Sequence, residues 1–147
     1  MEITVHPCDP MEPGVRRCLA DSAALMARLF AAEDNHGLTG SESDITMWAA
    51  RSGGAVVGTA ALALRHGCGE VKGMFVAPEV RGLGIGARLL SAVEAEARAK
   101  GLPLLRLETG AALEEACRLY ARAGFEPCGA FGDYIAGTSS IFMEKRL

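Results

Sequence analysis

Glu70-Val-Lys-Gly-Met-Phe-Val76, Ala77-Pro-Glu-Val80, Arg81-Gly-Leu-Gly-Ile-Gly-Ala87 and the run from Arg88 to Lys100 form one continuous stretch of a 147-residue chain. The first segment reads as a strand, apolar and partly β-branched towards Val76, and Pro78 stops it because proline cannot donate to a sheet ladder. The third segment places Gly82, Gly84 and Gly86 at alternate positions. The fourth is helical: Ile85, Leu89, Val93 and Ala97 recur every four residues as one apolar stripe. Arg88, Ser91, Glu94, Arg98 and Lys100 are polar, with Glu94 and Arg98 spaced as an i,i+4 pair. Gly101 ends the helix and Pro103 prevents its continuation.

A strand, a glycine loop and a helix N-terminus form a device for holding phosphate. The first helical turn has backbone N–H groups without partners, and the helix dipole favours negative charge there. Glycines let a ligand approach the backbone, and Arg81 adds a fixed cation with a fork of donors. A P-loop is excluded because no Lys follows the glycines, and the Rossmann spacing is met only in its loose form, from Gly82 to Ala87. An NAD-linked enzyme is therefore a remote alternative.

The pattern Arg81-x-x-Gly84-x-Gly86-Ala87 after a strand resembles the acetyl-CoA loop of the GCN5-related N-acetyltransferases, the GNAT superfamily. Leu104 to Thr109 resembles that family's next strand, and Leu119-Tyr120-Ala-Arg-Ala-Gly124-Phe125 its Leu-Tyr-x-x-x-Gly-Phe helix end. The matches span about residues 70 to 125. The resemblance implies a bacterial-type, single-domain member over residues 1–147. It implies an α+β fold of three αβα layers, with a mixed, mostly antiparallel sheet and a parallel pair splayed at the cofactor site.

Composition sets the outer bounds. Fifteen basic against 18 acidic residues give a net charge of −3, which disfavours non-specific nucleic-acid binding. No apolar run reaches the length of a membrane span. The Met1–His6 segment lacks the basic and apolar regions of a signal peptide, so a cytoplasmic location is expected. Cys8, Cys18, Cys68, Cys117 and Cys128 are odd in number and widely spaced, which fits free thiols. His6, His36 and His66 give no metal-ligand spacing, and no metal is expected.

The remaining elements follow from periodicity and turn signals. Ile3–His6 is a first strand. Apolar residues from Val15 to Phe30 support a helix from about Gly14 to Ala32. Residues 33 to 44 read as a loop, either a lid over the acceptor or a solvated connection. Ile45–Arg51 and Ala55–Leu64 are strands joined by the Gly53-Gly54 turn. With the strand that Glu70 opens, they make an antiparallel meander. The glycine helix then crosses over to Leu104–Thr109, which should run parallel to the Glu70 strand. A helix with Leu113, Ala116, Cys117 and Tyr120 on one face ends at Gly124-Phe125 in a Schellman pattern. Glu126–Phe131 and Ser139–Lys145 are the last strands.

In the GNAT-like reading a primary amine of a small molecule or peptide attacks the thioester of acetyl-CoA directly. Three tasks arise: a neutral amine, a stabilised oxyanion and a proton for the leaving thiolate. An alkyl ammonium of pKa about 10.4 lies roughly 4.6 kcal/mol from neutrality at pH 7. Glu70 is the candidate base, since some family members carry a catalytic Glu at the corresponding place. Glu108 and a water chain are alternatives. The resemblance implies that a bulge near Gly73 frees a backbone N–H near Phe75–Val76 for the oxyanion. It also implies that Met74, Phe75 and Val76 pair with pantetheine. The pyrophosphate would meet the N–H groups of Gly82, Leu83, Gly84, Ile85, Gly86 and Ala87, beside Arg81. Tyr120 is the candidate acid; the residues alone would also allow a core tyrosine. Cys117 has no nearby group to lower its pKa and is not expected to be a nucleophile. Trp48, the Glu33–Asp44 loop and Asp133–Tyr134 are candidates to line the acceptor pocket, and their acidic members hint at a cationic acceptor. A non-catalytic acyl-CoA-binding or partner-binding domain is the alternative class. A homodimer is compatible with either reading.

Overall fold

The protein, as a computed structural model, is described over residues 2–30, 42–132, 134 and 139–147. The strands are β1 (Ile3–Cys8), β2 (Ile45–Ser52), β3 (Ala55–Arg65), β4 (Cys68–Val76), β5 (Leu104–Gly110), β6 (Glu126–Cys128) and β7 (Ser140–Arg146). The helices are α1 (Pro13–Leu29), α2 (Ile85–Ala99) and α3 (Glu114–Arg122). The strands form one seven-stranded sheet in the order β1-β2-β3-β4-β5-β7-β6, with only the β4–β5 pair parallel. The expected mixed sheet with helices on both faces is therefore present.

Two apolar clusters define the layers. Val15, Cys18 and Leu19 of α1 pack on Met47, Ala49, Val56, Ala61 and Phe75 on one face. On the other face Ile85, Leu89, Leu90, Val93 and Ala97 of α2 pack with Tyr120 and Phe125 on Val71, Leu105, Leu107 and Met143. Pro13 occupies the first turn of α1, where its missing N–H has no partner to lose. Leu29 is exposed, so the apolar pattern that suggested a helix to Ala32 is only partly a core stripe.

Both crossover helices end in the same way. In α3, Phe125 N–H donates to Tyr120 O and Gly124 N–H to Ala121 O at 3.0 and 3.1 Å, with Gly124 at φ 97°. This is the expected Schellman ending, and it fixes the turn that carries Tyr120. In α2, Leu102 N–H donates to Ala97 O and Gly101 N–H to Arg98 O.

Several expectations are corrected. β4 begins at Cys68, so Glu70 lies inside the strand and pairs with Ala63 and Arg106 on its two sides. Glu94 does not use Arg98; it bonds Lys145 at 2.9 Å and ties α2 to β7. Trp48 is only 6% exposed and belongs to the core cluster on the α2 face, so it does not line a pocket. β6 is three residues long, half the length expected. Of the loop expected over residues 33–44, residues 33–41 lie outside the described residues, as does Asp133.

Candidate active site

The site starts from a defect in β4. On the β3 side, Thr59 faces Phe75 but Ala61 faces Lys72. Two residues, Gly73 and Met74, thus oppose the single Ala60, and Gly73 takes up φ +59°. A bulge of this kind flips the side-chain alternation beyond it. Val71 faces the α2 side, yet Phe75 faces α1, while Met74 and Val76 face α2. The expected bulge at Gly73 is present.

β4 and β5 pair only at Gly69–Leu105 and Glu70–Arg106 and then part. β4 therefore continues from the bulge to Val76 without β5 beside it. The β3 ladder decides which backbone groups face that opening. Ala77 N–H donates to Val57 O at 2.9 Å. By the alternation of an antiparallel pair, Phe75, two residues back, also spends its polar groups on β3. Met74 and Val76 turn theirs towards the opening. Consistently, Arg81 Nε donates to Val76 O at 3.2 Å from the far side. Phe75 N–H is thus spent on β3, and the N–H groups of Met74 and Val76 face the opening.

The loop after β4 is shaped by its glycines. Gly82 and Gly84 have φ of +84° and +76°, a region that costs side-chain-bearing residues about 1–2 kcal/mol. Gly84 is the N-cap of α2 and Leu83 is exposed, so the loop backbone is open to solvent. The N–H groups at the start of α2 have no intrahelical acceptors. Gly86 has a further reason to be glycine, since a Cβ there would stand 3.0 Å from Leu119 Cδ2 of α3.

A cavity of about 130 Å³ runs through the β4–β5 opening. Glu70, Lys72, Gly73, Met74 and Glu108 line it with Leu19 and Met26 of α1, Phe30 just after that helix and Tyr120 of α3. The opening therefore joins Glu70, on one face of the sheet, to Tyr120, packed on the other. Both catalytic candidates border one space.

Their surroundings differ. Glu70 is 2% exposed and its two oxygens are engaged. Arg65 Nε donates to Oε1 at 3.0 Å, and the Tyr134 hydroxyl donates to Oε2 at 2.5 Å. Lys72 Nζ stands 3.6 Å from Oε2 and donates to the Tyr134 oxygen at 3.0 Å. Arg65 also pairs with Asp44 at 2.8 Å. Glu70 is therefore the centre of a charge cluster rather than an exposed carboxylate at a strand end. The alternative base, Glu108, accepts from Ser140 Oγ at 3.0 Å.

Tyr120 is 5% exposed and packs edge-on against Phe125 at 5.8 Å. Among the described residues its hydroxyl has no hydrogen-bond partner. Burial, with a smaller contribution from Cys117, pushes its pKa well above the ordinary phenol value. Tyr120 therefore keeps its proton. Burial and the Glu70 carboxylate push Tyr134 the same way. Cys117 Sγ donates to Gly110 O at 3.4 Å, a structural use of the thiol.

Sequence reasoning missed Arg65 and Lys72. Lys72 was legible in principle, because residues two apart on a strand share a face and Glu70 and Lys72 are such a pair.

The sequence matches the Acetyltransferase (GNAT) family over residues 17–125. The chain belongs to that family. It is 41% identical over 150 residues to an IAA acetyltransferase of Azospirillum brasilense, covering 99% of this chain and 98% of the relative. The crystal structure of a candidate acyl-CoA N-acyltransferase from Klebsiella pneumoniae superposes with a TM-score of 0.87 at 32% identity, covering 99% and 97% of the two chains. The PaiA N-acetyltransferase of Thermoplasma acidophilum, solved in complex with coenzyme A, shares the fold at a TM-score of 0.78 and 19% identity, each chain fully covered. The GNAT acetyltransferase is an enzyme, and the readings as a non-catalytic domain or an NAD-linked enzyme fall away. Among the described residues no helix is long and apolar enough to cross a membrane.

Proposed function

We propose that this GNAT acetyltransferase passes an acetyl group from acetyl-CoA directly to a primary amine of a small molecule or peptide. The observation that carries the reading is one cavity bordered by Glu70, the β4 bulge and Tyr120. The pyrophosphate sits on the backbone from Gly82 to Ala87 beside Arg81, with Leu83 and Ile85 contributing N–H groups. Pantetheine lies along Met74, Phe75 and Val76 as a stand-in for the missing strand.

Glu70 is the base for the amine. Arg65, Lys72 and Tyr134 hold its carboxylate still, and the acceptor's ammonium enters as a further donor. The free N–H groups at Met74 and Val76 meet the negative charge that develops on the thioester oxygen. Tyr120 serves the sulfur. An ordinary phenol would give its proton to a thiolate at a cost of about 2 kcal/mol, and burial of Tyr120 raises that cost. Its first contribution is therefore a hydrogen bond to the sulfur, with full transfer as the C–S bond breaks. No metal takes part.

We take the chain as one catalytic domain over residues 1–147, acting in the cytoplasm as a monomer or homodimer. It acts on neither nucleic acid nor membrane. Glu70 and Glu108 on the cavity wall support a cationic acceptor. The test is release of free thiol from acetyl-CoA in the presence of a panel of amines. The name of the Azospirillum relative adds IAA as a compound to include. Thiol release with no amine above background would reject the reading.

A further inference from the structure

Among the described residues only two polar side chains are buried outright, Thr59 and Glu70, at 0% and 2% exposure. Glu70 has a role above. Thr59 sits on β3, opposite Phe75 and beside the bulge. Its Oγ1 donates to the Gly73 carbonyl at 2.7 Å.

That bond has a directional consequence. A trans peptide is planar, with its C=O and N–H pointing opposite ways. The Gly73 carbonyl and the Met74 N–H belong to one peptide. Holding the carbonyl towards β3 aims the Met74 N–H away from β3, into the β4–β5 opening. Gly73, at φ +59°, is the residue best able to let that peptide rotate. A bulge built on glycine needs an external hold to keep one orientation, and Thr59 is the side chain in place to supply it.

We infer that Thr59 is a positioning residue. Through the Gly73 carbonyl it aims the Met74 N–H at the reacting thioester oxygen and keeps the carbonyl dipole away from it. This rests on the acetyl-transfer reading above. Thr59 touches neither substrate, so its effect passes entirely through the bulge.

Thr59→Val keeps the side-chain shape and removes the donor, while Thr59→Ser keeps the donor and removes a methyl group. Thr59→Val should lower kcat by about 10- to 100-fold, up to what a lost oxyanion donor costs. KM for acetyl-CoA should stay within about threefold. Thr59→Ser should retain kcat within about threefold of the parent protein, although it loses packing. Equal kcat in the two variants, or losses that follow their melting temperatures, would overturn the inference.

A second measurement is independent of turnover. The Met74 amide resonance should shift when acetyl-CoA is added to the parent protein and to Thr59→Ser, but much less in Thr59→Val. An unresponsive Met74 amide in the parent protein overturns the inference. A responsive one in a protein that acetylates no amine rejects the functional reading and leaves the positioning role standing. If Thr59→Val fails to fold, Thr59→Cys, a weaker donor of similar size, should fall between serine and the parent protein in neither kcat nor amide shift, but below both.

Discussion

The two ends of the cleft are built from different materials. The proposed phosphate end is backbone: Gly82 and Gly84 in left-handed conformations, the open first turn of α2, and Arg81 anchored on Val76 O. The proposed acceptor end is side chain: Glu70 held by Arg65, Lys72 and Tyr134, with Glu108 held by Ser140. Backbone chemistry is tolerant, since any residue supplies an N–H if the turn permits. Side-chain chemistry is exacting, since both Glu70 oxygens and Glu108 Oε2 already have named donors. Mutations at the first end should therefore change affinity, and mutations at the second should change rate.

The largest test is Tyr120→Phe. Its hydroxyl has no partner to lose among the described residues, so the melting temperature should hold while kcat falls by about 10²–10⁴. Titration with CoA should give an unchanged Kd. A kcat within about threefold of the parent protein would make Tyr120 a core residue and end the contrast at that point.

Glu70→Gln comes next. Glutamine offers one accepting oxygen where Arg65 and Tyr134 now use two, so a donor must face a donor. We expect kcat to fall by roughly 10- to 100-fold at neutral pH, with a measurable loss of stability. If Glu70 removes the amine's proton, the loss should shrink as pH rises and free amine becomes abundant. A deficit that is the same at every pH would leave Glu70 as a scaffold and pass the base role to Glu108 or water.

At the phosphate end, Leu83→Glu sets a carboxylate on the exposed loop without disturbing a core. We expect the Kd for CoA to rise by about tenfold, equal to about 1.4 kcal/mol, with kcat at saturating acetyl-CoA nearly unchanged. A fall in kcat at unchanged Kd would contradict the division between the two ends. Gly86 is the wrong place for this test, because any side chain there meets Leu119.

The smallest effect is a slope. The chain has two tyrosines, and both have folded pKa values raised above the unfolded phenol near 10. The folded state therefore binds more protons above about pH 10. The contribution of the two phenols to stability should be constant below that pH and decline as pH rises towards the folded values. Tyrosinate absorbance should appear together with unfolding. A phenolate signal in folded protein at pH 10 would contradict the raised pKa values of both phenols.

The same contrast explains what the sequence reveals. The strand, loop, α2 and the Schellman turn after Tyr120 are written in contiguous residues whose turn and capping chemistry is local. The acceptor end is written in residues far apart: Tyr134 reaches Glu70 across 64 positions. No spacing rule connects them. Trp48 looked like a recognition residue because it is the only tryptophan, yet β2 turns it into the core. The bulge was readable from Gly73, but its hold by Thr59, 14 residues earlier, was not. Strand length failed at β6, where the residues beyond Cys128 leave the ladder to bring Phe131 against Phe142 and Tyr134.

Gly86 and Leu119 touch where α2 begins, and Leu119 is the neighbour of Tyr120. The helix bearing the phenol therefore approaches the first turn of α2, the proposed pyrophosphate site. In the proposed reaction that contact would help to set the span between the two, and the span would work as a ruler. A thioester on an arm of pantetheine's length would bring its sulfur to the hydroxyl. A donor with a shorter or longer arm could be gripped equally well at the phosphate and still present its sulfur out of register. Under the proposed function, selection of the acyl donor would be a measurement of length, set by a hydrogen atom where a larger side chain would meet Leu119.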